Sequence, residues 1–238
     1  MNAAQSMIEA THQTPSELPD YPEITDYKHL DVARNKVYFV NYDMVQANLI
    51  VMAKCNQFDK SVLTNTKLFN EYFSSIVFQD IREAGGLAYS AFATYSNPQK
   101  AGKNDYMFSF VATKVDKFKT ASDALNELIL NLPQTEDQFN TAKEAIMTKI
   151  ETERITRDNV FWTNLANMDR GINYDYRKDV YDQVQNANLA EFTAFFNDNI
   201  SRRNFTYLVL ANRDMIDMKV LKKSGEVKEL TLEEIFGY

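Results

Sequence analysis

The residue pair with the most chemical promise is Arg82 and Tyr89, seven positions apart in the stretch FNEYFSSIVFQDIREAGGLAYS, residues 69–90. A guanidinium and a phenol are both hydrogen-bond donors. Both can hold a peptide carbonyl or steady a developing oxyanion. The stretch reads as an amphipathic helix that ends at Arg82-Glu83, breaks at Gly85-Gly86 and enters a strand at Leu87-Ala88-Tyr89-Ser90. Such a turn can make a helix end and a strand start converge. A plainer reading is also open, in which Arg82 pairs with a surface carboxylate and Tyr89 packs with its hydroxyl in solvent.

Other reactive residues are few. The two histidines, His12 and His29, are 17 positions apart and form neither HExxH nor HxxEH, so the helical spacing that turns two imidazoles toward one metal is missing. A Ser-His-Asp or Cys-His site would have to draw on the same two residues, which read as plain surface histidines. The single cysteine, Cys55, excludes an intramolecular disulfide and reads as a small buried hydrophobe. Carboxylates sit mainly on helix faces with lysines and arginines nearby, as around Lys143, Glu144 and Glu151. No GxGxxG or GxxxxGK[ST] string is present.

Charge and composition narrow the class further. The net charge of −7 disfavours nucleic acid as a partner, because nucleic acid attracts proteins through phosphate-neutralising Lys and Arg. The imbalance is concentrated in residues 1–27, which hold Glu9, Glu17, Asp20, Glu23 and Asp26 and no Lys or Arg. That lead lacks the cationic start and apolar run of a secretory signal, and no apolar stretch approaches a membrane span. With Pro15, Pro19 and Pro22 it reads as an acidic linker or arm over residues 1–35, of the kind found where a domain is cut from a longer chain.

The elements that must position the pair follow from periodicity. Lys36 to Val40 and Ala47 to Ala53 are rich in strand formers and read as two antiparallel strands around an Asn41-Tyr42-Asp43 turn. A helix capped by Asp59 or Ser61 runs to about Glu83. Strands Leu87 to Tyr95 and Asp105 to Thr113 form a hairpin around Asn97-Pro98 and Gly102, with Tyr106, Phe108 and Phe110 on one face and Met107, Ser109 and Val111 on the other. Helices follow from Phe118 to Leu132, from a Thr135-x-x-Gln138 capping box through Phe139, Ala142, Ile146 and Ile150, from Asn159 to Arg170, and from Asn188-x-x-Glu191 onward. Phe205 to Ala211 is nearly all apolar and reads as a central strand, and Leu230 to Phe236 as a short helix. The order β-β-α-β-β-α-α-α-α-α-β-α predicts an α+β fold, a mostly antiparallel sheet with helices on one face.

The strings Ile81-Arg82-Glu83 and Leu87-Ala88-Tyr89-Ser90, with Asn70-Glu71-Tyr72-Phe73 and Ser75-Ile76-Val77-Phe78-Gln79 before them, resemble the pitrilysin/insulysin-type zinc metallopeptidases, which include the mitochondrial processing peptidase. More narrowly they resemble the non-catalytic, C-terminal type of domain in that family, here residues 36–238. Some 200 residues fit the family's element order, and about 20 carry the specific motif. One departure is that Phe73 runs directly into Ser74-Ser75, where relatives often have a glycine-rich stretch. The shortening is expected to alter the wall facing the substrate or to move the helix by part of a turn.

The resemblance implies a two-half enzyme. One half would carry HxxEH and zinc, with the motif Glu activating water. The other half would supply an Arg and a Tyr, here Arg82 and Tyr89, to hold the peptide backbone and the tetrahedral intermediate. This chain has no HxxEH, so it matches the zinc-free half: inactive alone, without cofactor of its own, partnered by an HxxEH-bearing half that is fused or separate, and binding peptide substrate. A non-catalytic assembly subunit on the same fold, or an unrelated metal-free binding domain with an accidental Arg-to-Tyr string, are the alternatives. The family permits the bacterial periplasm or cell envelope, the cytosol, or an organelle.

Overall fold

A computed structural model describes residues 2–12, 15–17, 20 and 30–237. The chain divides into two units, Met1–Asp31 and Val32–Tyr238. Among the described residues the first holds one helix, α1 (Asn2–Thr11), closed by the Thr11 hydroxyl donating to the Met7 carbonyl at 2.7 Å. His12, just after it, is exposed, and His29 lies outside the described residues.

The second unit is built on one six-stranded sheet in the order β3-β4-β2-β5-β1-β6. The strands are β1 (Lys36–Asn41), β2 (Gln46–Gln57), β3 (Ala88–Ser96), β4 (Asn104–Lys114), β5 (Thr206–Ala211) and β6 (Glu226–Glu229). The α+β class and the mostly antiparallel sheet are as the sequence predicts. The first two strands, however, are not neighbours. β5 lies between them, antiparallel to β2 and parallel to β1, and β1 is also parallel to β6. The Asn41-Tyr42-Asp43 stretch therefore spans a gap filled by a strand from the far end of the chain. That strand is central, as its apolar run indicated. β6, with the sequence EVKE, is too short and charged to show alternation, and these are the properties of a protected edge.

Alternation decides which face meets the helices. Val37 and Phe39, Leu49 and Val51, Ala91, Ala93 and Tyr95, Met107, Ser109 and Val111, and Tyr207 and Val209 all point into the core. On β4 this is the mixed face. The aromatic side chains Phe108 and Phe110 lie on the opposite face, where they cluster with exposed Phe92 at centroid separations of 5.9 and 5.5 Å.

A helical rod spanning residues 63–83 packs along β3. It consists of α2 (Leu63–Leu68), a π turn over Phe69–Phe73, α3 (Ser74–Val77) and a second π turn over Phe78–Glu83. Phe69 and Phe73 stack with Phe196, and Tyr72 with Phe139 and Phe192, joining the rod to the C-terminal helices. Those helices are α4 (Phe118–Leu130), α5 (Glu136–Thr152), α6 (Arg157–Asp169), α7 (Arg177–Asn186), α8 (Leu189–Phe196), α9 (Met218–Ser224) and α10 (Leu232–Phe236).

Two caps behave differently from one another. Asn188 accepts from the Glu191 N–H at 2.9 Å, as a cap should. The Thr135-x-x-Gln138 box does not form. The Thr135 N–H donates to the Tyr72 hydroxyl at 3.1 Å, and the Gln138 amide donates to Gln79 at 3.0 Å, so both ends serve tertiary contacts. None of the residues of α6 is buried, and Val160, Phe161, Trp162, Leu165 and Met168 are exposed along it.

Candidate functional site

Arg82 and Tyr89 lie on either side of a turn whose shape is fixed by backbone demands. Midway along the rod the Ser74 N–H reaches the Phe69 carbonyl, and at its end the Ala84 N–H reaches the Gln79 carbonyl, each five residues back. A π turn is one residue wider than an α turn, so each one rotates everything after it about the helix axis. Arg82 sits within the second π turn. Its direction is therefore not the one an ideal helix would give.

The turn itself needs its glycines. A Cβ at Gly85 would meet the Asp80 carbonyl oxygen at 2.4 Å, and Gly86 has φ +53°, in the left-handed region. Three bonds then tie the turn down. The Leu87 N–H returns to the Ile81 carbonyl at 2.9 Å, the Thr113 hydroxyl donates to the Leu87 carbonyl at 2.5 Å, and the Lys117 ammonium donates to the Gly86 carbonyl at 2.8 Å.

Tyr89 follows at once, in a β-bulge. Ala88 pairs with Thr113 and Ser90 with Ala112, so two steps on β3 match one on β4 and Tyr89 is the extra residue. Farther along, Ala91, Ala93 and Tyr95 face the core, and unbroken alternation would turn Tyr89 inward with them. The bulge instead leaves Tyr89 52 % exposed. Among the described residues its hydroxyl has no hydrogen-bond partner.

Arg82 is also surface-facing. Its guanidinium carbon lies 4.9 Å from the centre of the Phe78 ring, one turn back, and its Nε is 3.7 Å from a carboxylate oxygen of Glu83. The terminal nitrogens have no hydrogen-bond partner among the described residues. No hydrogen bond or cation–π contact joins Arg82 and Tyr89 among the described residues. The two residues therefore flank a pinned turn, Tyr89 with an unpartnered hydroxyl and Arg82 in an exposed ion pair with Glu83 that leaves its terminal nitrogens without a hydrogen bond, which is the arrangement the plainer reading also describes. Sequence reasoning missed the pins. Thr113 reads as an ordinary strand residue and Lys117 as a surface lysine, and neither carries a signal of its role.

Cys55 is buried, as its sequence setting indicates. Burial pushes its thiol up to about 11, which keeps it protonated and unreactive at neutral pH. Among the described residues no group of three or more His, Cys, Asp or Glu side chains could hold a metal.

Comparisons with known proteins bear on the family and the fold. The family described as "Peptidase M16 inactive domain" matches residues 2–146. The chain belongs to this family. No curated protein gives a significant sequence match. Among solved structures, the peptidase M16 inactive domain from Pseudomonas fluorescens is 15 % identical with a TM-score of 0.65, over 96 % of this chain and 52 % of that one. The periplasmic protease PqqL from Escherichia coli is 13 % identical with a TM-score of 0.66, over 82 % of this chain and 22 % of that one. Pitrilysin is 12 % identical with a TM-score of 0.60, over 99 % of this chain and 25 % of that one. These likenesses show the fold. The M16 inactive domain here thus spans about half the length of the first structure and a quarter or less of the other two. It is the non-catalytic C-terminal type of domain of a metallopeptidase family. Among the described residues no helix is long and apolar enough to cross a membrane.

Proposed function

We propose that this domain is the substrate-binding, zinc-free half of a two-half metalloendopeptidase, and that Arg82 and Tyr89 are the groups it brings to the scissile peptide. The observation that carries the reading is a pair of exposed donors held across a turn that is fixed by one local bond and two long-range ones, from Thr113 and Lys117. A turn that only changed chain direction would not need a bulge to rescue a tyrosine from the core. Zinc does not fit the residues of this chain, which has two histidines and no HxxEH. Metal chemistry would come from the HxxEH-bearing half, fused or separate. What this chain does is hold: Tyr89 donates to the oxygen that gains charge, and Arg82 donates to a neighbouring peptide carbonyl.

Removing one such donor costs about 10²- to 10³-fold in rate. Tyr89→Phe, assayed with the zinc-bearing half present, should therefore lower kcat by that order while changing KM far less. An unchanged kcat overturns the assignment.

A second reading is favoured by α6. Its exposed Val160, Phe161, Trp162, Leu165 and Met168 suit a chain whose work is assembly, with no part in hydrolysis. Mixing the chain with the zinc-bearing half separates the two: peptide cleavage supports the first, and a stable complex without cleavage supports the second.

A further inference from the structure

On the helical side of the domain, away from Arg82 and Tyr89, a cavity of about 440 Å³ opens between the start of the rod, the end of α5, α6 and the start of α7. Its apolar part comes from Ile146, Ile150, Ile155 and Val180, and four cations line it: Lys67, Lys149, Arg154 and Arg177. Arg177 is committed, since its guanidinium grips the Asp175 carboxylate at 2.5 and 2.9 Å. The other three are not. Among the described residues the charged ends of Lys67, Lys149 and Arg154 have neither hydrogen bond nor ion pair. This holds although Glu153 is one turn from Lys149, and Glu71 and Glu153 both line the cavity.

Lys67 is the telling member. It is half-buried, and desolvation, then repulsion from Lys149, holds its ammonium below the usual lysine range; Arg170 adds to the repulsion and Glu153 only partly opposes it. Arg170 carries a further unmet demand, a buried Nε with no hydrogen-bond partner. A half-buried cation kept beside other cations is a cost to the empty fold. An anion of two charges seated among them would remove it.

We infer that this cavity binds a small phosphate-class oxyanion, free or as a phosphomonoester, through Lys67, Lys149 and Arg154. Charge-assisted hydrogen bonds from ammonium and guanidinium groups suit phosphate oxygens. Ile146, Ile150 and Ile155, which line the same cavity, would seat an organic body.

The test is calorimetric titration of the full 238-residue chain with inorganic phosphate and with phenyl phosphate, together with thermal unfolding. Saturable binding is expected. Tighter binding of phenyl phosphate assigns the site to a phosphomonoester, and equal binding assigns it to the free anion. Lys67→Met should weaken binding by about tenfold. It should also raise the melting temperature of the ligand-free chain, because the methionine stem keeps the packing and the uncompensated charge is gone. Glu153→Gln should tighten binding, and Lys119→Ala, at a lysine paired with Asp123 elsewhere, should change nothing. Equal responses from the wild-type chain and Lys67→Met would mark a general salt effect and overturn the proposal, as would the absence of saturable binding by either compound.

Discussion

Strand β3 treats its two tyrosines in opposite ways. Tyr89 opens the strand at a bulge, exposed and without a partner for its hydroxyl. Tyr95, near the other end, is 1 % exposed and donates to the fully buried carboxylate of Asp105 at 3.3 Å. Its backbone is held as well: the Tyr95 N–H donates to the Asn70 side-chain oxygen at 2.7 Å, and the Asn70 amide donates to the Tyr95 carbonyl at 3.0 Å. Asn70 thus pairs with the free edge of the sheet as a neighbouring strand would, and seals it. The Ser74 hydroxyl accepts from the Ala93 N–H at 3.4 Å and extends the seal. The lesson is local. One residue type serves the core or the surface according to whether a bulge or a seal lies beside it.

The sharpest way to break the comparison is at the open end. Tyr89→Phe should cost about 10²- to 10³-fold in kcat with the zinc-bearing half present, whereas Tyr95→Phe should leave kcat alone and lower stability. Next comes the turn. Gly85→Ala forces a Cβ toward the Asp80 carbonyl, so the turn must shift or the chain lose stability, by about 1–3 kcal/mol on the scale of overpacking. Denaturant unfolding measures this.

At the sealed end, Asn70→Ala leaves the Tyr95 N–H and carbonyl unpaired. A loss of about 1–3 kcal/mol is expected from such orphaned groups. A second readout is faster self-association, because the edge is then open to strand addition.

Asp105 gives a smaller effect with a definite sign. Burial holds its carboxyl above its ordinary value of 3.8, against the opposing hydrogen bonds from Asn97 and Tyr95. The folded state then binds the proton more tightly than the unfolded state, so the contribution is present at low pH and is lost as pH rises through the raised value. Asp105→Asn should therefore raise the melting temperature at neutral pH and flatten its fall above pH 4. Smallest of all, Cys55 should resist alkylation in the native chain and react only on unfolding, since its thiol is buried and pushed up to about 11.

Much of this architecture is legible in the residues, and the failures have physical causes. The rod, the Gly85-Gly86 break, the hairpin and the apolar β5 are all visible because each is a local pattern. The Arg82-to-Tyr89 string is visible for the same reason. The neighbour of β1 is not, because Asn41-Tyr42-Asp43 looks like a hairpin turn and only β5, far along the chain, decides otherwise. The Thr135 box fails because Tyr72 and Gln79 offer its two ends better-placed partners. The π turns and the Tyr89 bulge leave no mark in composition. They set the directions of the two proposed site residues, so the identity of the pair is readable while its aim is not.

The insertion of β5 between β1 and β2 has a further consequence, for the order in which the sheet can form. β2 can find β4, and β4 can find β3, within some 60 residues of chain. β1 pairs only with β5 and β6, about 170 and 190 residues later. Closing a loop that long is slow relative to closing a hairpin, although its entropic cost grows only with the logarithm of length. As the chain emerges from a ribosome, β2, β3 and β4 can assemble with the rod while β1 waits with both its edges bare. A nascent chain stalled before Thr206 would therefore carry β1 as an unpaired apolar strand, a species suited to capture by a chaperone.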